Sequence, residues 1–273
     1  MPGDLTSAID WQQAWFASIR DTAEALGTQP KWQAALNAQC SAQSLQNHRG
    51  RPLAFVEQSE LPEGIAYEAF ISDTGRIPTR ENLHDLLNAL VWLSFPRIKS
   101  QLNALQAAQI ARDGVGRSRG PARDAITLFD ENAALLTVRD SAEGRALVEA
   151  LRGHQWKEAL LEKRSLFGSQ AEVWLFGHAL MEKLAQPYKG ITAHTWVMTV
   201  PENFFQLEHN ARRAWIDQQL ADELARREPD SLTPACFTPL PVLGVPGWWP
   251  QQDAAFYADT SVFRPKRSGG DPS

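Results

Sequence analysis

The chain has 273 residues, 43% hydrophobic and 22% charged, and its 27 Lys and Arg against 32 Asp and Glu leave a formal charge of −5. That composition excludes a disordered, collagen-like or coiled-coil chain, and the acidic balance gives no indication of nucleic acid as a partner. Two cysteines far apart, Cys40 and Cys236, are too few for a disulfide framework and point to a reducing, cytoplasmic setting. The first residues lack a basic segment followed by an apolar one, and no stretch reaches 18 apolar residues, so neither export nor a membrane span is expected.

Apolar residues at helical spacing predict a helix over 9–26, stopped at Gly27, and a second from Lys31 to about Asn47. The β-rich runs at 53–57 and 65–71, separated by Pro62 and Gly64, predict two strands. A helix over 79–95 follows, with Thr79 as its N-cap, Glu81 in its first turn and a leucine stripe through Leu83, Leu86, Leu87, Leu90 and Leu93. Pro96 ends or kinks it, and a further helical face runs from Ile98 to about Ala111. Glycines among four arginines make 112–124 a flexible basic loop, followed by strands at 125–130 and 134–138. Helical spacing returns over 142–163, broken near Gly153, and over 173–184; a strand follows at 191–200 and an amphipathic helix at 207–227. The Pro- and Trp-rich stretch 229–265 is expected to wrap as an irregular strap, and 266–273 to be a disordered tail. Together these elements predict one α+β domain over 1–265, mainly helical, with short strands and hairpins.

The face opposite the leucines of the 79–95 helix carries Glu81, His84, Asp85 and Asn88. His, Asp and Asn are poor helix formers, and their presence on one stripe marks a specifically hydrogen-bonded network or a ligand site. A second pair, His178 and Glu182, is four residues apart, a spacing at which both side chains reach one ion or one proton, with His194 on the next strand as a third metal ligand. Asp130 and Glu131 end an apolar run. No phosphate-binding glycine loop and no nucleophile elbow is present.

The runs PTRENLHDLLNALVWLSFPRIKSQLNALQ at 78–106, RDAITLFDEN at 123–132, FGHALMEKL beginning at Phe176 and PLPVLGVPGWWPQQDAAFYADTSVFRP at 239–265 occur in this order. Together they resemble the bacterial domain of unknown function family 3025, over about residues 9–265. The resemblance implies a single bacterial domain with no established activity, and it assigns no residue a role. It directs attention to the polar residues inside the blocks. His84, Asp85, Asp130 and Glu131 are the catalytic candidates, Arg80, Arg97, Lys99 and Arg123 form an anion clamp, and His178, Glu182 and His194 bind a divalent metal. The corresponding function is metal-assisted hydrolysis of a phosphorylated or otherwise anionic small molecule. The alternative is a non-catalytic binding or adaptor domain, in which the same side chains form a structural network and the Trp-rich end meets a partner.

Overall fold

The computed structural model describes residues 9–27, 32–114, 121–228 and 230–266. The middle of the predicted basic loop, at 115–120, and most of the predicted tail lie outside them. The N-terminal helices are α1 (Ala17–Leu26) and α2 (Trp32–Ala42), the first entered through a short 3-10 turn at Ala14–Phe16. Strand β1 (Ala54–Glu57) then pairs in parallel with β2 (Arg76–Thr79), and helix α3 (Tyr67–Thr74) makes the connection. Helices α4 (Leu83–Ser94), α5 (Pro96–Asp113) and α6 (Pro121–Asn132) follow. A four-stranded sheet comes next in the chain: β3 (Ala133–Arg139), β4 (Ala171–Leu175), β5 (Thr192–Val200) and β6 (Thr238–Pro241), arranged β4-β3-β5-β6. Its strands are joined through α7 (Ala142–Arg152), α8 (His178–Leu184) and α9 (His209–Ala225), and α10 (Ala254–Tyr257) lies in the C-terminal segment. The architecture is α+β.

The sheet is mixed: β3 runs antiparallel to β4 and parallel to β5, and β5 runs antiparallel to β6. Side chains alternate across a strand, so the buried β3 serves two cores. Leu135 faces the larger one, with Trp174, Trp196 and the helices α1, α2, α4, α5 and α6, while Leu136 and Val138 face a smaller one with Leu147, Leu151, Leu160 and Phe263. The 230–266 segment adds β6 to the sheet edge and packs Leu240, Val242, Leu243, Phe256, Tyr257 and Phe263 inside. Gln252 bridges the Leu243 and Val245 carbonyls, and the Tyr257 hydroxyl donates to the Gly244 carbonyl. Removing this much apolar surface from water, about 25 cal/mol per Å² of area, is what holds an otherwise irregular segment in place.

Several local expectations are overturned. Residues 65–71 are not a strand, because Tyr67 begins α3; the spacing of Tyr67, Phe70 and Ile71 suits a helix as well as an alternating strand, and Gly75 in the left-handed region (φ 75°) closes it. Residues 125–130 are also helical, since Ala122, Ala125, Ile126 and Phe129 form one buried face of α6. The predicted helix at 173–184 divides into β4 and α8. Thr79 ends β2, an unpredicted strand that accommodates Pro78, and the cap of α4 is Asn82, whose side chain accepts the Asp85 amide at 2.7 Å. Glu81 therefore precedes the helix and is exposed.

Candidate active site

Four helices bring the polar residues together. Asn82 sets the start of α4, which fixes His84, Asp85 and Asn88 on one side of it. Pro96 starts α5 at its first position and carries Lys99 one turn inward, where only 4% of its side chain is exposed. The last turn of α6 supplies Asp130 and Glu131. The first residue of α8 is His178, and Gly177 before it is a close-approach glycine: a Cβ there would lie 2.5 Å from backbone atoms of Glu131, Asn132 and Ala133. The Gly177 amide donates to the Ala133 carbonyl at 2.8 Å, which anchors α8 to the α6–β3 junction.

The histidines form a chain. His178 Nδ1 is 3.0 Å from the Asp130 carbonyl oxygen, which can only accept, so this ring carries its proton on Nδ1 and donates it there. His84 Nδ1 is 2.8 Å from Glu182 Oε2 and donates to that carboxylate. The remaining nitrogens, His84 Nε2 and His178 Nε2, face each other at 3.1 Å, with the rings in edge-to-face arrangement. When both rings are neutral, two bare lone pairs point into one gap; a single added proton converts that opposition into an N–H···N hydrogen bond. Burial, reinforced by Lys99 and His84 against the opposing pull of Asp130, lowers the pKa of His178 to about 4, so this ring is neutral near pH 7.

Beside this chain lies an ion pair. Lys99 Nζ donates to Asp130 Oδ1 at 2.5 Å and to Asn88 Oδ1 at 2.8 Å, and sits over the Trp92 ring at 5.2 Å. Burial acts to raise the Asp130 carboxyl, but Lys99 and the two imidazoles outweigh it, and the net shift is downward. Asn88 also donates to the Tyr67 hydroxyl at 3.4 Å, whose pKa is raised by burial and then by the charges of Asp130 and Asp85. Asp85 accepts from the Arg80 backbone amide at 2.6 Å and from its guanidinium at 3.1 Å. Of these groups Tyr67, Arg80, His84, Asp85, Asn88, Asp130 and His178 line one cleft of about 340 Å³, together with Glu68, Gln106, Thr127 and Glu131.

The four catalytic candidates, His84, Asp85, Asp130 and Glu131, thus share one cleft. The anion clamp does not assemble. Lys99 is engaged by Asp130 and Asn88, and Arg80 by Asp85. Arg97 lies elsewhere, donating its backbone amide to Asp217 and its guanidinium to Gln218, and Arg123 in the first turn of α6 is not part of the cleft wall. Nor do His178, Glu182 and His194 form a ligand set. His178 is engaged by His84 and the Asp130 carbonyl and Glu182 by His84, while His194, on β5, packs edge-on against Phe237. Among the described residues no group of three or more His, Cys, Asp or Glu is placed to hold a metal ion. In the aromatic end, Trp248 and Trp249 are partly buried and pack against both cores.

Tyr67, Glu68 and Gln106 line the cleft without having been singled out in the sequence. Reading 65–71 as a strand concealed the first two, although the helical spacing of Tyr67, Phe70 and Ile71 was available as the signal. For Gln106, a polar residue on the buried side of α5, the signal was weaker.

A family model described as protein of unknown function (DUF3025) matches residues 53–267, most of the chain and every residue of the cleft. No curated protein matches the chain, and no solved structure does. Among the described residues no helix is long and apolar enough to cross a membrane.

Proposed function

Since the chain belongs to DUF3025, a family whose function is unknown, we propose from the chemistry of its cleft that it is an enzyme, one that performs general acid–base catalysis on a small polar substrate, hydrolysis included. One observation carries the reading: two imidazole Nε2 atoms 3.1 Å apart at a cleft wall, each ring having its other nitrogen committed as a donor. His84 is the exchanging group. Its side chain is 37% exposed, and it lines the cleft together with His178, whereas Glu182 does not.

In the neutral pair, His84 Nε2 takes a proton from water or from a substrate hydroxyl or amine. The resulting imidazolium donates through Nδ1 to Glu182, which stabilises the positive charge, and through Nε2 to the bare nitrogen of His178. Return of that proton to the leaving group completes the cycle. Asp130, kept ionised by Lys99, supplies a fixed negative charge beside the reacting atoms, and Tyr67 supplies a hydroxyl that stays protonated. The acid–base reading calls on no metal ion, since His84 bridges Glu182 and His178. Free Cys40 and Cys236 support a cytoplasmic setting.

The test is a screen of ester, amide and phosphoester substrates with the wild-type protein and with His84→Gln. A turnover found with the wild type should fall at least about 100-fold in the variant without loss of fold. Equal turnover in the two proteins would remove His84 from the chemistry.

A further inference from the structure

The cleft's charges are unevenly matched. Of the four carboxylates in its wall, Asp130 is paired with Lys99 and Asp85 with Arg80. Glu68 and Glu131 make no ion pair and no side-chain hydrogen bond among the described residues. They come from different helices, α3 and α6, each packed against α5. Helix α5 adds Gln106 to the same wall, a residue only 8% exposed whose side-chain amide has no hydrogen-bond partner among the described residues. The rest of this residue is covered, so an amide left unpaired at the cleft wall marks where a ligand atom can complete it.

Glu68 is brought to this position by packing, since Asn103, one turn before Gln106 on α5, donates to the Glu68 carbonyl at 2.8 Å. Glu131 stands at the end of α6, one turn beyond Thr127, which also lines the cleft. The Tyr67 ring adds an aromatic wall, a surface that attracts cations. An anionic ligand entering here would meet two unbalanced carboxylates in a partly desolvated site, at an electrostatic cost. A ligand nitrogen bearing a positive charge and several N–H groups meets two carboxylate acceptors and an amide oxygen.

We propose that the substrate carries a protonated amine, received by Glu68, Glu131 and the Gln106 side-chain oxygen. This specificity rests on the acid–base reading of the same cleft, and it reverses the charge expected of the substrate from the sequence. The ammonium group is a handle and not the reacting centre: it sits among Glu68, Gln106 and Glu131, while the bond to be broken lies towards His84. The cleft volume of about 340 Å³ falls at the lower end of small-molecule sites and suits a compact amine.

Matched four-carbon probes test it: 1-aminobutane and 1,4-diaminobutane against 1-butanol and butyrate, titrated into the full chain at pH 7 and followed by side-chain amide and backbone NMR. The amines should bind and shift the Gln106 side-chain signal, the butanol and butyrate should not, and added salt should weaken the amine. Glu131→Gln should weaken amine binding by about tenfold, and Gln106→Leu, close in volume, should weaken it while breaking no hydrogen bond among the described residues, so that the variant stays folded. Preferential binding of butyrate, equal binding of all four probes, or no amine response up to about 10 mM would overturn the amine assignment. The histidine tautomers and the turnover of His84→Gln are measured without these probes, so failure of the amine assignment and failure of the acid–base reading are separate results.

Discussion

Two carboxylates flank the first turn of α5, and they are treated in opposite ways. Asp217 reaches it from α9 and accepts the backbone amides of Arg97 and Ile98 at 3.1 and 2.9 Å, serving as an N-terminal cap supplied by another helix. Asp130 reaches it from α6 and accepts Lys99 Nζ at 2.5 Å. Burial raises both carboxyls. At Asp217 the amide dipoles, with Arg97 and Arg213, recover only part of that penalty, and its pKa is raised to about 6. At Asp130 a buried ammonium and two imidazoles reverse it, and the carboxyl is lowered. Backbone donors are enough to place a carboxylate, whereas holding it ionised at this depth takes a full opposite charge nearby. The side with the full charge is also the side that opens on the cleft.

The largest expected effect comes from removing that charge. Lys99→Met keeps the aliphatic stem against Trp92 but leaves Asp130 without its ammonium, and breaking a buried pair in this way costs about 3–5 kcal/mol. Urea unfolding at pH 7 measures it; a loss below about 1 kcal/mol would mean that the Lys99 charge is not what balances Asp130.

The contrast between the two sides sharpens in the pH dependence. Asp217 is raised from 3.8 to about 6 on folding, so its contribution to stability is fully present below about 3.8 and is lost as pH rises through 6. His178 is lowered from 6.5 to about 4, so its contribution is present above 6.5 and lost as pH falls towards 4. Each amounts to about 3 kcal/mol at full extent, and over pH 4–6 they oppose each other, flattening the wild-type profile. Asp217→Asn should therefore lose stability on acidification more steeply than the wild type, and His178→Asn should lose it as pH rises. Denaturant midpoints at pH 4, 5, 6 and 7 give both slopes; parallel profiles for all three proteins would contradict the assignment.

Gly177→Ala acts on geometry alone. A methyl group 2.5 Å from three backbone atoms must push α8 away from α6, with an expected loss of about 1–3 kcal/mol and a weakened His178 contact with the Asp130 carbonyl. A melting temperature unchanged from the wild type would show that the junction has slack. The smallest effect belongs to Asn82→Ala, which removes the α4 cap and costs about 1 kcal/mol; thermal melts resolve it.

Much of the cleft was legible from spacing. His84, Asp85 and Asn88 stand out because such residues weaken an exposed helix face, and the four-residue interval between His178 and Glu182 puts both on one side of α8. The facing of the His84 and His178 Nε2 atoms was not legible, because it depends on a backbone carbonyl, that of Asp130, which no residue pattern reveals. The strand expected at 125–130 failed for a related reason: Ala125, Ile126 and Phe129 read equally well as a β-rich run or as one face of a helix, and packing decided in favour of the helix. With that run helical, Asp130 falls in the last turn of α6, and its backbone carbonyl, not only its carboxylate, becomes available to the site. The C-terminal strap shows the opposite case, where prolines and aromatics announced an irregular but buried segment.

The central claim, that the histidine pair is built to take up one proton in the gap between its Nε2 atoms, is tested most directly by nitrogen-15 NMR of the imidazole rings. His178 should show a protonated Nδ1 and a bare Nε2 from pH 8 down to about 5, as burial and the Asp130 carbonyl require, and a proton added to the pair should be shared across the gap between the two Nε2 atoms. A His178 ring protonated at Nε2 and bare at Nδ1, or two rings titrating independently as free histidines do, would contradict the account.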